Sequence, residues 1–217
     1  MGSEFPLRPV LIRGALLVFE SQSGGAKPSD LIAFSYNPEQ LRRSFASRSP
    51  QQQPQRTAAA KADVLRVPGP PVETITMTIV LDAADQLAEP LRNPDVVAFG
   101  LHPVLAKLEL LLYPSSASVA RIERQAAQGA VQVNPADVPL VMLVWGDSRV
   151  VPVQLQSFSV TEEQFDPRLN PISAKVDLGM RVLTYMEFPR ESAGREAYIA
   201  HQKKKEQLAA LPAGGVL

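Results

Sequence analysis

Glu73-Thr-Ile-Thr-Met-Thr-Ile-Val-Leu81 alternates without a break, with Ile75, Met77, Ile79 and Leu81 in one phase and Thr74, Thr76 and Thr78 in the other. Successive side chains of an extended chain point to opposite faces, so this segment reads as a strand with one face in a core and the other turned to a polar or subunit-facing side. The same period returns near the end of the chain, where Ile172, Ala174, Val176, Leu178, Met180 and Val182 alternate with Lys175, Asp177 and Arg181. A turn over Asp166-Pro167 to Asn170-Pro171 joins that strand to its predecessor. The predecessor, Val150 to Thr161, has Val151, Val153 and Leu155 in one phase but Phe158 and Val160 in the other. One extra residue near Gln156 or Ser157 accounts for the switch, because a β-bulge moves every later side chain to the opposite face. Leu140 to Trp145 is a continuous apolar run, as expected for a strand covered on both sides, and Gly146-Asp147-Ser148 supplies a tight turn after it.

Toward the N-terminus, Val10 to Phe19 reads as a strand, Gly24-Gly25 and Pro28 as a turn, and Asp30 to Tyr36 as a returning strand. Asn37-Pro38 is turn chemistry, since proline fixes its own φ and pushes its predecessor out of the helical region. Gln40 to Ser47 leaves it as a third strand, and the three are expected to form an antiparallel meander. Residues 49–71, with Gln51 to Gln53, Thr57 to Ala60 and Pro68 to Pro71, offer little to bury and read as an exposed, mobile insertion. Arg56, Lys61 and Arg66 within it, and Arg42, Arg43 and Arg48 before it, fit either a basic finger for a partner or a solvated loop; the composition favours the loop.

After Asp82 the alternation ends in an irregular stretch with Pro90, Asn93 and Pro94. Val104, Leu105, Leu108, Leu111 and Leu112 then fall at helical spacing, with Pro103 in the first turn and Pro114 closing the end: one amphipathic helix to pack on a sheet. Residues 114–138 form a variable insertion with a helical turn around Val119 to Gln128. Residues 190–217 form a charged helical extension whose thin stripe is mainly Ala197, Tyr198, Leu208 and Leu211, beside Lys203 and Lys204. It is expected to dock on a partner or to project. Met1 to Phe5 is either a cloning scar or the native start, and residues 6–189 make up the β domain.

The composition excludes several classes. Lys plus Arg equals Asp plus Glu at 22 each, which argues against a general binder of nucleic acid or anionic membrane. There are no cysteines, so disulfides, thiolate metal sites and cysteine nucleophiles are out. No signal peptide is expected, and no apolar run reaches the ~20 residues of a spanning helix. His102 and His201 are the only histidines; one precedes a helix and the other lies on a charged one, without neighbours at ligand spacing. Asp82 with Asp85, and Glu162 with Glu163, sit where strands end and read as turn and solvent positions. Trp145 reads as a core residue. No phosphate loop, nucleophile elbow or zinc pattern occurs, so no catalytic, metal or cofactor residue is assigned.

In order, five segments resemble the tube-protein-like domain of contractile injection systems, the phage-tail-like machines of bacteria. They are Ile32 to Leu41, Val72 to Asp82, Gly100 to Tyr113, Val144-Trp145-Gly146 and the closing hairpin with Phe165-Asp166-Pro167. The resemblance covers most of Leu11 to Phe188. It implies a mainly β, α+β fold: an antiparallel split β-barrel or sandwich of tail-tube type, with one packed helix. It implies a non-enzymatic subunit of a hexameric ring at the baseplate hub, which joins the inner tube to the spike in a particle made in the bacterial cytoplasm. Expected partners are further copies of the chain, the inner tube protein, the spike or hub protein and baseplate proteins, with no nucleic acid and no membrane insertion. Family members often continue into a peptidoglycan-binding LysM module; here a charged helix follows instead. The expected interface or lumen residues are Tyr36, Asn37, Pro38, Thr74, Thr76, Thr78, Lys175, Asp177 and Arg181, with Tyr198, Lys203, Lys204, Leu208 and Leu211 on a docking helix. Three alternatives stay open: an adaptor or cargo-binding module of the same particle, an inner-tube subunit proper, and a hydrolase using paired carboxylates.

Overall fold

The computed structural model describes residues 13–20, 25–48, 68–128 and 138–212. In chain order these form β1 (Ala15–Phe19), β2 (Asp30–Ala33), β3 (Leu41–Ala46) and β4 (Val72–Asp82), then α1 (Ala84–Leu87), α2 (Pro94–Phe99), α3 (His102–Glu109) and α4 (Ser116–Ala127), and finally β5 (Leu140–Trp145), β6 (Arg149–Phe165), β7 (Pro171–Val182) and α5 (Ala193–Ala209). All seven strands join one antiparallel sheet in the order β2-β1-β5-β6-β7-β4-β3. The fold is α+β, built on an open sheet whose edges among the described residues are β2 and β3. The expectations for Met1 to Phe5, for the start of the first strand and for 21–24, 49–67, 129–137 and 213–217 fall outside the described residues.

The expected meander does not form. β1 and β2 pair, but β3 lies at the far edge, held only by β4 in the register Leu41 opposite Met77 to Ala46 opposite Val72. Residues 34–40 must therefore link the two edges. Eight Cα steps separate Ala33 from Leu41, at most roughly 29 Å when fully extended, while a flat sheet of this many strands at about 4.8 Å spacing is itself roughly 29 Å wide. The link is not extended: it bends at Ser35–Tyr36 and at Glu39, and it sends the Phe34 ring into the core. The sheet must curl until its edges approach.

The concave face holds the main core. Leu16 and Val18 of β1, Ile32 of β2, Ile75 to Leu81 of β4, Val141 and Leu143 of β5, Val151 to Leu155 of β6 and Ala174 to Val182 of β7 contribute alternate residues to it. α3 lies on this face through Leu105 and Leu108, with Leu101 and Leu111 just beyond its ends. Each such leucine contributes about 1.5–3 kcal/mol by burial. The bulge falls where the phase switch required it: Leu155 faces Met180 and Ser157 faces Gly179, leaving Gln156 as the extra residue.

Five helices are present among the described residues where one was expected to pack. α1 and α2 span 4 and 6 residues and bury nothing fully, so no apolar period announces them. α4 is capped by Ser115, whose Oγ accepts from the Ser118 amide at 3.2 Å. α5 corrects the largest expectation. Its first turns do not project but lie on the convex face, where Ala193 and Ala197 cover Phe19, Leu140 and Met142. That cover gives β5 its second buried face.

Candidate functional site

The convex face is divided in two. Over β1, β5 and the start of β6 it is apolar, and there Ala193 and Ala197 of α5 join Phe188 over Phe19, Leu140, Met142 and Val150. Over β4, β7 and the outer half of β6 it is polar and uncovered, and the residues singled out from the sequence gather there. Thr74 stands opposite Arg181, Thr78 opposite Asp177 and Val80 opposite Lys175 in the register of β4 with β7. Thr76, Thr78, Lys175 and Asp177 are exposed; Thr74 and Arg181 are half-buried.

Asp177 is fixed before any partner arrives. Thr78 Oγ1 donates to its Oδ1, and Ser159 Oγ donates to its Oδ2 at 3.3 Å. Lys175, the nearest cation along the strand, is committed to Glu163 at 2.7 Å. The carboxylate thus accepts two hydroxyls and has no cationic partner among the described residues, beside a depression of about 360 Å3 lined by Gln40, Arg42, Thr76 and Ser157. Gly179 forms the floor. A Cβ there would collide with Ser157 Oγ, so the bulge and the glycine are two parts of one packing solution.

Arg181, opposite Thr74, belongs to a second network at the other end of the face. Arg48 Nη2 meets Glu187 Oε1 at 2.6 Å, Arg48 Nε donates to the Pro70 carbonyl at 2.9 Å, and Arg181 Nη2 stands 3.7 Å from Glu187. Glu187 also accepts from the Thr184 amide at 2.7 Å and from its hydroxyl. Burial pushes this carboxyl up, but the Thr184 hydroxyl, Arg48 and the Thr184 amide together hold it below its ordinary value. Arg48 is therefore structural, and so is Arg43, which bonds Glu73 at 2.6 Å.

The Asn-Pro turn also serves the fold. Asn37 Oδ1 accepts the Gly14 amide at 2.8 Å, pinning the entry to β1. Gly14 sits under the rings of Phe34 and Trp145, where a Cβ would come within 2.8 Å of both. Tyr36 is exposed and Pro38 half-buried beside it. On α5, Tyr198 is buried in the main core and stacks edge-on against Tyr185 at 6.0 Å, so it holds the helix to its own chain. Lys203, Lys204, Leu208 and Leu211 remain exposed.

Asp82 Oδ1 accepts the Ala84 amide at 2.7 Å and starts α1, while Glu163 pairs with Lys175. No group of His, Asp and Glu suited to a metal ion occurs among the described residues. No helix among them is long and apolar enough to cross a membrane.

Three groups escaped the sequence reading. Glu73 shares the phase of Ile75 and Met77 and therefore points into the concave side, a signal the alternation carried. Arg149 shares the phase of Val151 and Val153, and His201 lies one turn beyond Tyr198 on the buried side of α5. No protein-family model matches the chain, and no curated protein matches it.

Proposed function

We propose that this chain is a structural, non-enzymatic component of a bacterial contractile injection system, forming a ring at the baseplate hub that joins the inner tube to the spike. The observation that carries the reading is the uncovered polar half of the convex face, with Thr76, Thr78, Asp177 and Ser159 held in fixed geometry on long paired strands. Solvent alone does not require a carboxylate buttressed by two hydroxyls beside a shaped depression; a neighbouring surface of fixed shape benefits from it. On this reading the curled sheet is a split barrel of tail-tube type with α3 packed inside. Its unpaired β2 and β3 edges are the strands that a neighbour in a ring covers. The order of the five segments resembling tube-protein-like domains points the same way. Of the residues read as a basic finger, Arg43 and Arg48 at its flank pair with Glu73 and Glu187, while Arg56, Lys61 and Arg66 lie outside the described residues.

Sedimentation and electron microscopy of the purified chain, alone and with the tube and spike proteins of the same particle, test the proposal. Six-membered rings are expected, and Asp177→Arg with Thr76→Arg should abolish them while leaving unfolding within about 0.5 kcal/mol of the parent. Rings unaffected by the double substitution would remove this face from the interface.

A further inference from the structure

His201 is 7% exposed, and among the described residues neither ring nitrogen makes a well-formed hydrogen bond, although the Ser148 backbone stands near enough to attract a ring N–H. Buried polar side-chain atoms rarely lack one. The imidazole faces Lys205 one turn further along α5, Arg43 of β3, Glu73 of β4 and the Ser148 backbone in the β5–β6 turn. Arg149, next in the chain after Ser148, faces the same Arg43 and Glu73. Tyr198 lies one turn before His201 on the helix and also faces Glu73. Among the described groups that act on His201, Glu73 is the one carboxylate, and it is already engaged by Arg43 at 2.6 Å and Lys205 at 3.5 Å. With His201 neutral, three cations share one anion. A proton on His201 adds a fourth cation in a dehydrated place.

We propose that α5 is a latch opened by acid: protonation of His201 drives the C-terminal half of the helix off the sheet while its N-terminal half stays seated. The seat is independent of the histidine. Ser192 Oγ accepts the Arg195 amide at 3.3 Å, and Ala193 and Ala197 cover Phe19, Leu140 and Met142. Gly194 lies so close to the Phe188 ring that a Cβ would collide with it. Beyond His201 the helix is held by little more than the Lys205 contact with Glu73, and it carries exposed Leu208. Release frees Lys205 from Glu73 to join Lys203, Lys204 and Leu208, which are already exposed. This inference concerns the isolated chain and does not depend on the ring.

Burial, and after it the Lys205 charge, hold His201 below the usual imidazole value; Glu73 and the Ser148 backbone pull upward, and Arg43 adds to the depression. Because the value is depressed in the closed state, His201 stabilises closure above about pH 6.5, where a free imidazole is neutral. That contribution is lost as pH falls from there through the closed-state value. Each unit of the gap multiplies the opening constant by about ten.

The chain has 2 histidines, so proton NMR of the full chain, with His102→Gln to assign the remaining imidazole, gives the His201 midpoint directly. Hydrogen exchange over 199–211, corrected for intrinsic rates, gives the opening constant between about pH 7.5 and about pH 5. The expected result is a His201 midpoint below the free value and an opening constant that grows tenfold per unit of the measured gap. His201→Gln should abolish the acid step. Lys205→Gln, which removes a repelling cation, should raise the His201 midpoint and shrink the step; it decides the matter if His201→Gln opens the helix at every pH. A midpoint at or above the free value, protection that stays constant while His201 titrates, or a step that survives His201→Gln would overturn the latch.

Discussion

Replacing Glu73 by Gln keeps the size of the side chain and removes the charge that Arg43 and Lys205 share. Glu73 has 7% of its side chain exposed and Arg43 26%, with 2.6 Å between Nε and Oε1. Removing one partner of a buried ion pair costs about 3–5 kcal/mol, because the other charge is left dehydrated. The amide oxygen of Gln still accepts one hydrogen bond, and Lys205 can turn toward water, so the expected loss is about 3 kcal/mol. For a chain of this length each kcal/mol lowers Tm by roughly 2–4 °C, giving a fall of roughly 6–12 °C. Urea unfolding, followed by the fluorescence of Trp145, measures it. Adding Arg43→Leu should restore part of the loss through a coupling of about 1–3 kcal/mol, less the cation–π contact of Arg43 with the Phe45 ring at 4.9 Å. A Glu73→Gln protein within about 0.5 kcal/mol of the parent, or a double variant whose losses simply add, would refute the reasoning.

Other substitutions probe separate links. Gly179→Ala should cost about 1–3 kcal/mol by overpacking against Ser157, and Ser157→Gly should recover most of it; urea midpoints that show no recovery would mean the bulge and the glycine are unrelated. Asn37→Ala should cost about 1 kcal/mol by freeing the Gly14 amide, and faster exchange of that amide would locate the effect. Glu187, held low, stabilises the fold above about pH 4.3 and loses that contribution as pH falls through its folded value. Glu187→Gln should therefore flatten the acid limb below about pH 4.3 in a pH series of unfolding free energies; an unchanged limb would assign acid sensitivity elsewhere.

Strands with an unbroken period were legible because their side chains meet one core and nothing competes with the pattern. β4, β6 with its extra residue at Gln156, and β7 follow their alternation closely. The Asp166 turn also follows its chemistry, with Oδ1 accepting the Arg168 amide at 2.7 Å and the Asn170 amide at 2.9 Å. What failed was partner choice. Asn37-Pro38 announces a turn between two strands, but the turn links opposite edges of a curled sheet, and pairing across distant sequence leaves no local mark. α5 misled for a related reason: its stripe is thin because the small Ala193 and Ala197 meet the sheet, while Gly194 lets the Phe188 ring come close. The threonine face was readable as a face, whereas the two hydroxyls holding Asp177 depend on the register of β6, β7 and β4 together. The charged cluster at Glu73, Arg149 and His201 assembles from three distant segments, and only the phase of Glu73 and Arg149 hinted at it.

On the proposed function, copies of this chain form a ring between tube and spike. Cryo-electron microscopy of intact particles, purified from cells carrying the wild-type gene and from cells in which this gene is deleted, tests it most directly. The account predicts a ring of this fold at the tube–spike joint, with Thr76, Thr78 and Asp177 in the contact between neighbours, and loss of that joint in the deletion. Particles whose joint is unchanged without the chain, or a ring in which that face meets only solvent, would contradict it.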